Sequence, residues 1–449
     1  MDTIFPTAIV SYIQVFAPVF AASNFHYFRG FMLAFLLLGE TRKCVTNIAR
    51  FCFFIDRNVS SFERFLSQYQ WSITDVRCRL VNLLSGQLHN ELLIFGAYLA
   101  WVDTTLVAKV KGKMPGVQKW HDHSDNPDRG TYLIGHHWAI AGLLGAAIVA
   151  NQWNPVCFPI LANLIPGITN AFGFTVNSEG VAQAMTFWDV TCPMITQLAM
   201  MLDHPLRVVA DAYFARAPFI NWMISISVHV ITRMRKDAVG WDDPEPETPL
   251  PPGKKKRGRK PTRPRKGREW KLADLIKSFT PESITVFAYS QMKTFLVVTR
   301  DVWIRDVAAK VRVVVIQTTG DPVILLSTDL TLTPRQIIFL YAMRFSVELG
   351  IRDAKQHFGF GDYQCTSFLA MTRYIGLSLV SFCLWRLALL TNMREEWLSI
   401  QDSASPLSFN RIRRAAIRFA IQRIFCNFAS GANFQNSGVI PEEVFRMVA

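Results

Sequence analysis

From residue 1 to about residue 88, apolar side chains recur at helical spacing. Phe31-Met32-Leu33-Ala34-Phe35-Leu36 is one such run, and Phe62, Phe65, Leu66, Tyr69 and Trp71 continue it to a break at Ser72. Arg42, Lys43 and Arg50 supply basic punctuation. This spacing predicts helices with one buried face. The segment reads either as a helical DNA-binding domain or as a helical cap on the next domain, and it carries no helix-turn-helix signature.

The rhythm changes at Leu92. Leu92–Val102 is continuously apolar and stops at Asp103-Thr104-Thr105, which predicts a central strand buried on both faces with an acid at its rim. Tyr132–Ile134 and Trp138–Val149 read as further strands, and Val181–Leu202 has helical composition. Arg207–Ala210 then repeats the strand-then-acid grammar at Asp211, and Ser225–Ile231 predicts another strand, followed by Arg233 and Arg235. A lone Asp after a strand is ordinarily a turn or cap residue. Two of them closing buried strands ask for another account, because an unpaired carboxylate leaving a core costs several kcal/mol, about 2–7 for a neutral polar group and more for a charge.

Strands are predicted again at Ile284–Tyr289, Thr294–Thr299, Val311–Gln317 and Val323–Ser327. Thr333-Pro334 comes next, a pairing suited to N-cap and first helical position, with Gly359 and Gly361 as a stop. Between them, at roughly 100° per residue, Tyr341, Arg344, Glu348, Arg352 and Lys355 share one helical stripe. Ala342, Met343, Val347 and Ala354 fall largely on the other side. The plain reading of that stripe is a solvated face with i,i+4 pairs, Arg344–Glu348 and Glu348–Arg352. Ile375–Leu390 predicts a packing helix, and Arg411, Arg414, Arg418 and Arg423 decorate a final amphipathic helix that touches DNA or is simply solvated.

Between Lys236 and about Ser278 this patterning lapses. An acidic run, Asp242-Asp243-Pro244-Glu245-Pro246-Glu247, precedes Lys254–Arg268, in which ten of fifteen residues are Lys or Arg. So few apolar residues predict a flexible loop over 242–268. Its core, including Arg257, Arg259 and Lys260, reads as a minor-groove hook, a nonspecific phosphate tether, or a nuclear-import signal.

Composition narrows the partners. The chain has 449 residues and a formal net charge of +14 while being 50% hydrophobic. That length predicts two or three domains, and that charge a polyanionic partner. Eight scattered cysteines without a Cys-x-x-Cys predict a reduced intracellular protein rather than a disulfide or zinc framework. His121, His123, His136 and His137 lack the supporting Cys pair or His-Glu-x-x-His of a zinc site. Thr3–Ser23 is apolar but has Asp2 where a signal peptide has basic residues. Trp138–Ala150 is too short to span a bilayer, and Tyr374–Leu390, interrupted by Arg386, reads as a core helix. No membrane partner is expected.

Three acids therefore stand out: Asp103, Asp211 and Glu348, each more than 100 residues from the next. Hard carboxylates of this kind suit Mg²⁺, with Mn²⁺ as a substitute. Two such ions about 4 Å apart serve in-line phosphoryl transfer. The cations at 344, 352 and 355 would hold flanking phosphates.

Tyr341, Arg344, Glu348 and Lys355 match Tyr-x2-Arg-x3-Glu-x6-Lys. Together with Asp103 in Trp-Val-Asp-Thr-Thr and Asp211 in Val-Val-Ala-Asp-Ala-Tyr-Phe, they make the chain resemble bacterial insertion-sequence transposases of the DDE superfamily, from about Leu92 to Gln364. The resemblance implies an α/β fold: an RNase H-like core with a mixed five-stranded sheet flanked by helices, a β-rich insertion and a helical N-terminal domain. The divisions it implies are 1–88 (helical, possible DNA-end binding), 89–235 (first part of the core), 236–317 (insertion with the basic loop), 318–395 (second part of the core) and 396–449 (helical basic C-terminal region). It implies a metal-dependent endonuclease and strand transferase acting at transposon terminal inverted repeats and target DNA. Asp103, Asp211 and Glu348 would bind two Mg²⁺ ions, and Tyr341, Arg344 and Lys355 would contact DNA. Arg352 and the basic loop are added by the residue reading alone. A homodimer or larger synaptic complex in the bacterial cytoplasm, associated with the nucleoid, completes the expectation. The alternative is a transposase-derived DNA-binding protein without catalysis.

Overall fold

A computed structural model describes residues 5–52, 55, 57–110, 114–121, 131–149, 152–166, 174–176, 182–244, 267–391 and 408–429. The chain forms two compact units, one of residues 1–204 with 346–449 and one of 205–345.

The first unit begins with five helices, α1 (Thr7–Gln14), α2 (Ala22–Leu37), α3 (Val45–Phe51), α4 (Val59–Ser67) and α5 (Ile73–Gln87). The helical spacing is thus realised. Asn58 and Ser72 cap α4 and α5 by accepting from Ser61 and Asp75 amides, so the predicted break at Ser72 is a helix start. Phe20, Tyr27, Phe31, Phe65 and Trp71 form an aromatic cluster in which the Phe65 and Trp71 rings stack with centroids 5.0 Å apart.

Past a single turn, α6 (His89–Leu92), come β1 (Leu93–Ile94), β2 (Ala97–Ala108), β3 (Gln118–His121), β4 (Tyr132–Val149) and β5 (Gln152–Leu164). β4 pairs antiparallel with β2, β3 and β5. Two expectations change. The two strands read at 132–134 and 138–149 are one continuous strand. Asp103 does not end its strand either: β2 runs five residues further, and it is burial that lapses at Asp103. The apolar run marks where the core ends, not where the ladder ends. The β4–β5 register shifts between Ala141 and Gly142, where Ile160 of β5 is the extra residue, and Gly142 opposite it must be glycine, since a Cβ there would fall 1.9 Å from the Phe158 carbonyl oxygen. A small hairpin, β6 (Phe174–Val176) and β7 (Ala182–Ala184), precedes α7 (Phe187–Met201), which opens on a Thr186/Asp189 capping box. Part of the segment read as helical, 182–184, is therefore strand.

The second unit holds β8 (Leu206–Ala210), α8 (Ala217–Ser225), β9 (His229–Arg233), β10 (Val239–Trp241), β11 (Glu269–Lys271), α9 (Leu275–Ser278), β12 (Glu282–Ala288), β13 (Gln291–Ile304), β14 (Val311–Ile316), β15 (Val323–Ser327) and α10 (Pro334–Met343). The strand order is β11-β10-β13-β14-β15-β9-β8, with β12 on β13. β8 and β9 are parallel and the other pairs antiparallel, so the sheet is mixed as expected, and five of its strands, β10 to β14, fall within residues 236–317, where a β-rich insertion is expected. The strand expected at Ser225–Ile231 starts only at His229, because 217–225 is helical. Asp242 and Asp243 are ordered rather than part of a loose loop. Asp242 takes a two-pronged bond from Arg300 at 2.8 and 2.9 Å, and Asp243 pairs with Lys310 and Trp303. Residues 245–266, with Arg257, Arg259 and Lys260, lie outside the described residues.

The chain returns through α11 (Phe345–His357), α12 (Phe368–Leu390) and α13 (Phe409–Ala429). Thr333 caps α10 in a capping box with Gln336, and Pro334 takes the first position, as its sequence predicts. The single helix expected through 341–355 is instead two, separated at Arg344, whose amide bonds to the Tyr341 carbonyl three residues back. α12 is the one described helix long and apolar enough to cross a membrane, and it is mostly buried inside its unit. Its arginines have protein partners. Arg373 donates to the Leu66, Tyr69 and Trp71 carbonyls, and Arg386 pairs with Asp353 at 3.3 Å.

Candidate active site

In the first unit the site begins with Asp103, opposite Ile140 in the β2–β4 ladder and half-buried. Its carboxylate accepts the Thr104 amide at 2.7 Å. Glu348 is exposed in the first turn of α11, where the helix dipole favours a negative charge. Lys355 and His357 occupy the opposite end.

α11 is fastened to its surroundings by three contacts. The Lys355 ammonium donates to the Leu106 carbonyl of β2 at 2.9 Å. A Cβ on Gly350 would lie 2.8 Å from the Cys157 sulfur on β5, so the helix approaches there because the residue is glycine. Asp353 pairs with Arg386 of α12. Burial drives the Cys157 thiol far above its usual range; Arg386 opposes this, and the Asp353 and Asp103 carboxylates add to it. Asp103 and the Glu348 helix thus share one buried neighbour. Arg352 is exposed and lies 3.5 Å from Asp353.

In the second unit β8 is buried throughout and delivers Asp211 at its end. Asp211 caps the 3-10 turn Ala212–Phe214, accepting the Tyr213 amide at 3.0 Å, while its carbonyl accepts the Thr232 hydroxyl at 2.7 Å. The ordinary cap role is therefore real. Burial nevertheless raises its carboxyl pKa, against the Tyr213 amide, the Arg344 charge and the Phe214 amide. A desolvated carboxylate of this kind gains from a cation. The Arg344 guanidinium carbon sits 5.9 Å from the Tyr341 ring centroid. Burial raises the Tyr341 phenol, while Arg344 and Arg233 lower it, so the hydroxyl keeps its proton at neutral pH.

Tyr341 and Arg344 thus belong to the unit of Asp211, whereas Glu348, Arg352 and Lys355 belong to that of Asp103. The stripe is divided at the helix break. Among the described residues, no group of three or more His, Cys, Asp or Glu side chains stands together as a metal site. Asp211, desolvated at the end of β8, is the kind of oxygen donor that suits a hard cation. Of the histidines considered for zinc, His136 is buried between the Tyr363 hydroxyl (2.7 Å) and the Pro115 carbonyl (2.9 Å), and His123 lies outside the described residues.

Sequence reading missed Arg233 as a neighbour of Tyr341. The parallel pair Ala210–Thr232 puts Arg233 one step beyond, alongside Asp211, and the signal was the basic residue at the end of β9. It also missed Gly350 and Cys157, for which nothing in the linear pattern gives a sign.

The fold is mixed α/β, with Asp103 and Glu348 carried by one unit and Asp211 by the other. The chain belongs to the DDE superfamily endonucleases, whose family model matches residues 15–286, more than half its length. Residues 190–384 also match the transposase DDE domain. The first match spans Asp103 and Asp211, the second Asp211 and Glu348. No curated protein matches the chain. Members of this superfamily generally use divalent metals, and a transposase domain implies DNA binding.

Proposed function

We propose that this protein is an insertion-sequence transposase with an RNase H-like core, cutting DNA at its element's terminal inverted repeats and joining the ends to target DNA. The observation that supports this most is the fastening of the Glu348 helix to the Asp103 strand through Lys355 and to β5 through Gly350, within a chain that belongs to the endonuclease superfamily.

Asp103, Asp211 and Glu348 would together hold two Mg²⁺ ions, or Mn²⁺ in their place. When bound, such ions make a water or 3′-hydroxyl nucleophilic and neutralise the leaving oxygen. The protein's own part is positional. Asp211 is desolvated on a rigid cap, so its carboxylate is held in place before a cation arrives. Tyr341 offers a protonated hydroxyl, and Arg344 beside it offers a fork suited to two phosphate oxygens. Lys355 is oriented by the Leu106 carbonyl, and Arg352 extends from the exposed side of the same helix. Arg257, Arg259 and Lys260 would follow the DNA from the basic loop. The working assembly would be a homodimer or larger synaptic complex in the bacterial cytoplasm, associated with the nucleoid.

The test is cleavage of a duplex carrying the element's own ends by the purified full-length protein in Mg²⁺. Asp103→Ala, Asp211→Ala and Glu348→Ala should each abolish cleavage while DNA binding persists. Normal cleavage by all three variants would overturn the assignment.

A further inference from the structure

α13 carries five arginines (Arg411, Arg413, Arg414, Arg418, Arg423) and no acid between Phe409 and Ala429. Its apolar side is spent within the first unit. Phe409, Ile412, Ala415, Ala416 and Ala420 are buried, and the Phe409 ring meets Phe358 and Phe382 at 4.7 and 4.9 Å. Arg386 lies over the same ring at 4.3 Å. Arg413 is turned to protein, 3.3 Å from Glu40 and against Gly39 at the end of α2. Arg414, Arg418 and Arg423 are left exposed and Arg411 half-buried.

At about 100° per residue, the exposed Arg414 and Arg418 fall within roughly 40° of one another on the outward side, with half-buried Arg411 within roughly 60° of both. Like charges at i,i+3 and i,i+4 repel, so this face costs stability unless a polyanion meets it. Guanidinium forks suit phosphate oxygens. An anionic bilayer is a poorer match, because surface-lying helices need a free apolar face to insert, and here that face is covered through Ala420.

We propose that the outward face of α13 is a second DNA surface, binding the phosphate backbone of duplex DNA without sequence preference and separate from the carboxylates. This rests on the reading of the chain as a DNA-acting enzyme. It adds a place where DNA outside the cleaved bond is held.

The experiment measures binding of the full-length protein to a labelled duplex of unrelated sequence across a salt series. Removing one phosphate-binding cation should lower the slope of log K against log salt by about 0.9. Arg414→Gln/Arg418→Gln should therefore flatten the slope by roughly 1.8 and weaken binding, whereas Arg414→Lys/Arg418→Lys should keep the slope. The Lys pair should unfold at the wild-type temperature and the Gln pair at that temperature or slightly above it, since both positions are exposed and Gln relieves the like-charge repulsion. An unchanged slope in the Gln pair overturns the proposal. So does loss of binding to phosphatidylserine vesicles with DNA binding intact, or an equal slope change in the Lys pair. If wild-type protein never cleaves its ends yet the Gln slope falls, the catalytic reading fails and this surface stands. If wild-type protein cleaves and the slope does not move, the reverse holds.

Discussion

Lys355 reaches from the last turn of α11 to the Leu106 carbonyl, three residues beyond Asp103 on β2, at 2.9 Å. One hydrogen bond thereby ties the register of the Glu348 helix to the strand of Asp103. A hydrogen bond from a charged donor contributes about 1.5–3 kcal/mol. Lys355→Met should lower the thermal midpoint by a few degrees, by that estimate, and slow single-turnover cleavage. A lysine that served only to touch DNA would leave the free protein's midpoint unchanged, so calorimetry without DNA separates the two roles.

Gly350 gives a sharper version of the same dependence. An added Cβ would stand 2.8 Å from the Cys157 sulfur and 3.1 Å from its Cβ. Both belong to a packed core, where overpacking costs about 1–3 kcal/mol. Gly350→Ala should destabilise the protein by that order and reduce cleavage by displacing Glu348, two residues away. Cys157→Ala removes the closer atom but not the second, so the double variant should recover part of the loss, with coupling of about 0.5–3 kcal/mol. Additive effects in denaturant unfolding would mean that the helix can shift freely at this point.

Legibility in the sequence depends on which forces leave a linear trace. Burial does: the apolar run to Val102 and the buried strand to Ala210 located Asp103 and Asp211, and Thr333-Pro334 located a helix start. Strand ends do not, because a ladder continues on backbone bonds after the core has ended, as β2 does past Asp103. The division at Arg344 was also hidden. Tyr341 through Lys355 keep a helical stripe in sequence even though the hydrogen-bond ladder tightens at Arg344. Contacts such as Gly350 with Cys157 join residues distant in the chain and have no local pattern at all. The Asp242 and Asp243 pairs were misread for a related reason, since an acidic run looks solvated until Arg300 and Lys310 are known to face it.

The β12–β13 hairpin turns on Tyr289 and Ser290, at φ 54° and 65°, between the paired residues Ala288 and Gln291. A two-residue turn with both φ positive favours Asn-Gly, and each ordinary residue held there costs about 1–2 kcal/mol. Ser290→Gly should stabilise the protein by about 1 kcal/mol after the entropy it adds to the unfolded chain, and Tyr289→Asn should add less. Equilibrium unfolding in urea measures both. A loss of stability in Ser290→Gly would show that the serine side chain is held by contacts worth more than the strain.

Acid sensitivity should come from His136 in the first unit and Asp329 in the second. Burial holds the His136 imidazole down at about 4 from its ordinary 6.5, with the Pro115 carbonyl opposing and the Lys109 charge assisting. The unfolded chain therefore takes up this proton first, and the contribution of His136 is complete above 6.5 and lost as pH falls from 6.5 towards 4. Asp329 lies lower. Burial would raise its carboxyl, but the Thr331 hydroxyl, Arg207 at 2.9 Å and the Thr331 amide outweigh it, leaving the pKa below 3.8. Its contribution is present above the unfolded value and disappears only as pH falls through the folded one. Thermal unfolding tracked from about pH 7 to about pH 3 should thus weaken first in the range of His136 and again below about pH 4. His136→Gln should flatten the upper limb and leave the lower one, while Asp329→Asn should do the opposite. An upper limb unchanged in His136→Gln would assign that proton to another group.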